Sequence, residues 1–317
     1  MQRRWLLAER TRLGFSIRIF GEANLPSHPV SSGVGGLHLS VSLAYLRDIL
    51  LYLQANRVRI YRMHSRLLPA LGERLQEQIA ECQAQLETVR DLIASAAVRL
   101  SFHPYSSVIL SALNEDQAAR SVALLQAHAD FLDALGLGPE AVIVLHVGGV
   151  YDDPLSSRER FLRRYEALPE AVRRRVVLEQ DDRRFSFADV QTIHMRSGVP
   201  LVFDTLHHDV LNPQGVPAEE ALAYCLGTWP EGVRPKVHFS SPRTELRPLG
   251  GNGRIKMPSW TEHADCVNPF EFIRFMERAQ GLRRFDVMLE AKARDLALFK
   301  LRQDLARYAP ALAEEVM

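Results

Sequence analysis

Apolar and polar positions along the chain follow a repeating order: a short apolar run, then a longer stretch with helical spacing. The apolar runs at 12–17, 57–61, 98–102, 141–147, 175–178, 200–203, 235–239 and 285–289 predict eight strands. Between them, Leu71, Leu75, Ile79, Cys82, Leu86, Val89 and Ile93 step by three or four, which predicts one helix with a single buried face. Asn114 is placed to cap the next helix and Gly136 to end it. Ser186 opens a segment that stops near Gly198, and Pro217 opens another containing Ala221, Leu222 and Cys225. Asn268-Pro269 reads as a cap followed by proline at the first helical position, with Glu271 placed for a capping box. A last helix is expected from about Asp295.

Strands that alternate with helices pair in parallel, because each return crosses over through a helix. Eight such units predict a single (β/α)8 TIM barrel, with an open doubly wound sheet as the alternative. No Pro- or Ser-rich linker divides the chain, so 1–317 is expected to be one domain. Residues 1–11 read as a short N-terminal extension rather than a signal peptide. Residues 241–262, which contain Gly250-Gly251-Asn252-Gly253, predict a long mobile loop after the seventh strand.

Of the 317 residues, 47% are hydrophobic and 24% charged, which excludes disorder and fits a globular domain large enough to bury its own core. Lys plus Arg number 39 and Asp plus Glu 38, so the protein is not broadly basic, although a local basic face is still allowed. Three cysteines with no CxxC pair argue against a disulfide framework or zinc knuckle and fit a reducing, cytoplasmic setting. No apolar run is long enough to span a membrane.

The chemistry lies where the strands end. His103, His146, Glu179, Asp204 with His207, His238 beside Lys236, and Glu290 each stand at or near a predicted strand end. A barrel brings those ends to one face around one axis. A single histidine or aspartate in such a place is usually a loop residue or a helix cap. Six strand ends of ligand type are better explained by shared cations, because unneutralised carboxylates would repel one another. Mixed imidazole and carboxylate donors suit Mn²⁺, Zn²⁺ or Fe²⁺ better than the all-oxygen preferences of Ca²⁺ and Mg²⁺.

These residues occur in motifs that resemble the ultraviolet damage endonucleases, a barrel family related to endonuclease IV and xylose isomerase. The resemblance runs through Arg12-Leu13-Gly14-Phe15, Tyr61-Arg62, Ser101-Phe102-His103-Pro104 and Leu145-His146-Val147-Gly148-Gly149. It continues through Leu178-Glu179-Gln180-Asp181-Asp182, Val202-Phe203-Asp204 with His207-His208, Lys236-Val237-His238 to Pro242, His263-Ala264-Asp265, and Asp286 to Lys292. It implies up to three divalent ions, manganese first, with magnesium, zinc or cobalt as alternatives. The implied ligands are His103, His146, Glu179, Asp204, His207, His238, His263 and Glu290. It also implies a Lys236 that can be carboxylated, and leaves Asp265 either as a ligand or as a partner that orients one. Glu73 stands where the family has a further histidine and is expected to replace it, with His64 as the competing candidate. Glu179, Lys236 and Glu290 are the expected catalytic groups.

The implied activity is hydrolysis of the phosphodiester immediately 5′ of cyclobutane dimers or 6-4 products in double-stranded DNA, by a monomer. Weakened stacking at the lesion eases extrusion, with Phe15 and Tyr105 as candidate aromatic probes. Arg243, Arg247, Arg254 and Lys256 are the candidate phosphate contacts, whereas the arginine runs 158–164 and 173–175 read as solvated helix faces. A metal-dependent sugar isomerase or epimerase and a non-cleaving damage-binding protein are the competing readings.

Overall fold

The computed structural model describes residues 10–29, 37–151, 153–249 and 254–316. All eight expected strands form: β1 (Leu13–Ser16), β2 (Ile60–Met63), β3 (Arg99–Phe102), β4 (Ile143–Leu145), β5 (Val176–Glu179), β6 (Leu201–Val202), β7 (Lys236–Phe239) and, after a hairpin of β8 (Arg247–Leu249) and β9 (Arg254–Lys256), β10 (Asp286–Leu289). The sheet runs β6-β5-β4-β3-β2-β1-β10-β7, all neighbours parallel. One parallel bridge between Asp204 and His238, with the His238 N–H donating to the Phe203 carbonyl at 2.9 Å, joins the ends and closes the barrel. Helices separate the strands, which is the (β/α)8 architecture rather than an open sheet.

Side chains alternate along each strand, so every second residue faces the barrel interior. Along β3 these are Arg99, Ser101 and then His103, and they mark three polar tiers. At the bottom, Arg99 donates to Asp286 at 2.9 Å, and Arg12 and Arg234 close on the same carboxylate. In the middle, Lys236 Nζ donates to Ser101 Oγ at 3.0 Å. At the top, His103 meets Glu179. Apolar side chains on the outer face of the strands pack against the helices in one large buried cluster. Gly14 belongs where β1 and β2 close up, since a Cβ there would lie 2.2 Å from the Ile60 carbonyl oxygen.

The caps largely follow the chain's own signals. Asn114 accepts from the Gln117 N–H, Ser186 and Asp189 form a reciprocal capping box, and Gly198 ends that helix with φ 71°. Other expectations are corrected. The stripe from Leu71 to Ile93 breaks at Cys82 into helices Gly72–Glu81 and Gln83–Ala96, with Leu71 exposed at the cap. Glu271 does not complete a capping box, because the Ser241 hydroxyl accepts from the Asn268 N–H and donates to the Glu271 carboxylate. Arg164 and Arg175, read as solvated, are buried. Arg164 donates to the Leu110 and Ala112 carbonyls and Arg175 to those of Leu137 and Ala141, satisfying carbonyls of the neighbouring loops. The loop after β7 contains the β8–β9 hairpin, and its Gly250 to Gly253 run lies outside the described residues, as does most of the 1–11 extension.

Candidate metal centre

Six strand ends deliver their polar side chains to one point at the top of the barrel. The Asp204 carboxylate caps the helix Thr205–Val210 by accepting from the His207 N–H at 2.8 Å, which turns both residues inward from one β6 loop. Glu179, fully buried at the end of β5, is the hub. Its Oε1 lies 3.0 Å from His238 Nδ1 and 3.4 Å from His207 Nδ1. Its Oε2 lies 3.2 Å from His103 Nε2 and 3.7 Å from His146 Nε2. Glu290 reaches His238 Nδ1 at 3.3 Å and His263 Nε2 at 4.0 Å, and it also pairs closely with Arg62. His263 arrives from the loop after the hairpin, fixed by the bridge between Pro242 and His263.

Three groups of donors in this cluster have ligand atoms within 4.8 Å of one another: His103, His146 and Glu179; Glu179, Asp204 and His207; and Asp204, His238 and Glu290. Adjacent groups share a carboxylate, so these buried His, Glu and Asp side chains could hold more than one cation. The donor chemistry fits that role. Glu179 Oε2, Asp204 Oδ2, His238 Nε2 and His263 Nδ1 are buried with no aligned hydrogen-bond partner. Unpaired buried polar atoms are costly, and bound cations would take up these four.

The electrostatics agree. Burial alone would raise the Glu179 carboxyl, but the imidazoles of His238, His146 and His103 outweigh it and hold the group well below its ordinary value. His207 is pushed the other way: Asp204, Glu179 and Glu290 overcome burial and raise it to about 9. Burial lowers His103 to about 4, leaving a neutral imidazole with a free lone pair. Lys236 is fully buried one tier below. Burial, with Arg99 and Arg62 nearby, holds its amine well below the ordinary lysine value.

Of the expected ligands, His103, His146, Glu179, Asp204, His207, His238, His263 and Glu290 all gather here. Glu73 does not. It is exposed in the first turn of Gly72–Glu81, where a carboxylate favours the helix dipole, and it belongs to none of the three groups. His64 is no ligand in these groups either. Its Nδ1 accepts from the Arg66 N–H, and its Nε2 lies 3.1 Å from the Tyr105 hydroxyl. Asp265 pairs closely with Arg243 instead of joining the cluster.

The aromatic and basic expectations divide. Phe15 is wholly buried, edge-to-face with Tyr61 at 5.4 Å, so it is a core residue and offers no face to a base. Tyr105 is half exposed at the barrel mouth. Arg243 is only 3% exposed and is committed to Asp265, so it is not a surface contact. Arg247 and Lys256 are tied to Glu262, whereas Arg254 is exposed on β9. Two features escaped the sequence reading: the Arg62–Glu290 pair, whose motif was visible but whose partner was not, and the arginines of the β5 loop. His103, Tyr105, His146, His207, Asp181 and Arg184 are among the residues that line a cavity of about 330 Å³ beside the cluster.

A closed parallel barrel with histidine and carboxylate donors at the carboxyl ends of its strands has the layout of a barrel enzyme whose rim could hold metal ions. A family model described as UV-endonuclease UvdE matches residues 38–313. A UV DNA damage endonuclease of Bacillus velezensis is 30% identical over 276 residues, covering 84% of this chain and 82% of that protein. The crystal structure of SacUVDE superposes with a TM-score of 0.77 at 26% identity, covering 94% of this chain and 98% of that one. A 3-keto-D-glucoside 4-epimerase from E. coli shares the fold, with a TM-score of 0.56 at 12% identity over 93% of this chain and 100% of that one. The chain belongs to the UV-endonuclease UvdE family, which makes it a hydrolase of the nuclease type. Among the described residues no helix is long and apolar enough to cross a membrane.

Proposed function

We propose that this chain is a divalent-metal-dependent DNA-repair endonuclease that hydrolyses the phosphodiester immediately 5′ of an ultraviolet photoproduct. The observation that carries the reading is Glu179, shared between two donor groups while its Oε2 is buried without an aligned partner. His103, His146, Glu179, Asp204, His207, His238, His263 and Glu290 would hold up to three ions, manganese first. Clustered divalent ions supply an activated nucleophile, neutralise the phosphate and stabilise the departing oxygen.

The chain's own groups prepare the site for that role. Glu179 and Glu290, both held ionised, attract cations and keep the imidazoles oriented. Burial holds the Lys236 amine well below its ordinary value, which favours the uncharged amine, the form that opposes cations less and that can be carboxylated. Arg62 neutralises part of Glu290 and faces a second cavity, of about 190 Å³, together with His64 and Tyr105. Tyr105, standing between the two cavities, is the aromatic placed to test for weakened stacking.

The test is incubation with irradiated and unirradiated duplex, with and without Mn²⁺, Mg²⁺, Zn²⁺ or Co²⁺. The expected result is metal-dependent nicking confined to irradiated DNA, with the new end mapping immediately 5′ of the dimer. Binding without nicking under every metal would overturn the reading in favour of a damage sensor.

A further inference from the structure

Arg183 and Arg184 stand side by side in the loop after β5, exposed, and line the larger of the two cavities. Their backbone is held rigidly. Asp181 accepts from the N–H groups of Arg183 at 2.8 Å, Arg184 at 2.6 Å and Phe185 at 3.2 Å, and the Asp181 N–H donates to the Phe185 carbonyl. Phe185 is fully buried and anchors the loop. Two neighbouring guanidinium groups therefore project from a fixed base at the mouth. Among the described residues only Asp182 approaches one of them, at 3.5 Å from Arg183 Nε, and Arg184 forms no ion pair.

Arg247, Lys256 and Lys292 differ, while Arg254 on β9 is exposed. Arg247 and Lys256 both close on Glu262, and Lys292 lies 3.9 Å from it, so their charge is shared with a carboxylate already in place. The strand order around the barrel puts the β3 loop, with Tyr105, between the β5 loop and the loops after β1 and β2. Those last two carry exposed Arg18 and Arg66, whose positive charge also bears on His64.

We propose that Arg183 and Arg184 grip backbone phosphates of the DNA, on the side of Tyr105 opposite Arg18 and Arg66. The inference rests on DNA being the substrate of the metal centre. Two adjacent like charges with only Asp182 beside one of them repel when free, and a polyanion crossing the mouth relieves that repulsion. A rigid loop adds little ordering cost on binding. Phosphate contacts fix the position of the duplex over the site and read no sequence.

The test is the R183A/R184A double variant, compared with wild type on an unirradiated duplex over a series of salt concentrations. Every phosphate that loses its guanidinium should reduce the slope of log affinity against log salt by about 0.9, so the double variant should show a slope shallower by roughly one to two units. Affinity for irradiated and unirradiated duplex should fall by the same factor. Bound Mn²⁺ and the far-ultraviolet circular dichroism spectrum should not change. R183K/R184K should restore the slope. An unchanged slope overturns the proposal and makes the loop a solvated one. Weakening confined to irradiated duplex also overturns it, because the arginines would then read the lesion. Failure of the wild type to nick irradiated DNA would strike the nuclease reading instead and leave the salt comparison readable.

Discussion

Glu179 Oε1 lies 3.0 Å from His238 Nδ1, while the second atom of each group, Glu179 Oε2 and His238 Nε2, is buried without a hydrogen-bond partner. Glu179 Oε2 has only unaligned imidazoles beside it, His103 Nε2 at 3.2 Å and His146 Nε2 at 3.7 Å, and His238 Nε2 has no hydrogen-bond partner. A merely structural pair would satisfy both. Glu179→Gln keeps the shape and removes the charge. Nicking of irradiated duplex is expected to fall at least about 100-fold, and bound Mn²⁺, measured by elemental analysis after dialysis, to fall with it. Wild-type turnover in this variant would show that the centre lies elsewhere.

Glu73→Ala should leave metal content and nicking unchanged. The side chain is exposed at a helix start and touches none of the donors. A stability change within about 0.5 kcal/mol is expected for such a surface site. Loss of one bound ion in the variant would restore Glu73 as a ligand.

Phe15 and Tyr105 should separate fold from recognition. Phe15→Ala empties a buried site and should cost roughly 3–5 kcal/mol in urea unfolding. Tyr105→Ala removes a half-exposed side chain. It should shift the melting temperature little and reduce the preference for irradiated over unirradiated duplex. An unchanged preference would remove Tyr105 from lesion reading.

The bottom tier predicts an acid-sensitive stability. Burial would raise Asp286, but Arg99, Arg12 and Arg234 outweigh it and hold the carboxyl below its ordinary value. A depressed carboxylate contributes stability that is fully present above its unfolded value, about 3.9, and is lost as pH falls through the lower folded value. Asp286→Asn leaves buried arginine charge uncompensated and should cost roughly 3–5 kcal/mol near neutral pH. The difference from wild type should begin to shrink below about pH 3.9, where the unfolded carboxyl takes up its proton, and should be gone only below the lower folded value. A difference constant down to about pH 2 would show that the arginines do not act through the Asp286 charge.

Chelation should lower the melting temperature reversibly. A ligand at about 100 times its Kd stabilises the folded state by about 2.7 kcal/mol. Chelator-treated protein should therefore melt earlier than protein returned to Mn²⁺, and Mn²⁺ should have no such effect on Glu179→Gln. Identical melting curves with and without Mn²⁺ would mean that the orphaned atoms do not bind it.

The strand pattern and the ligand-type residues at strand ends were readable because both depend on local order: an apolar run, then a polar donor where the run stops. The roles of Phe15, Arg243 and Glu73 were not readable in the same way. Phe15 looks like any aromatic beside a site, and only packing against Tyr61 makes it core. Arg243 looks like a loop cation, and only the fold shows that it is buried and paired with Asp265, 22 residues away. Glu73 sits at a familiar motif spacing, and helix geometry turns it to solvent. In Arg183 and Arg184 the sequence offered a basic pair beside an acidic pair, and nothing local says which carboxylate faces inward.

By itself, the chain order of donors determined that a barrel would carry imidazoles and carboxylates to one rim, because strand alternation and right-handed crossover leave few other arrangements. Tertiary structure alone decided which of them share space. Glu179 becomes the hub, and Glu290 acquires Arg62, because residues from β2, β3, β5, β7 and β10 meet only once the Asp204–His238 bridge has closed the ring. Distances across a closed barrel depend on all eight strands at once, and no stretch of sequence contains them.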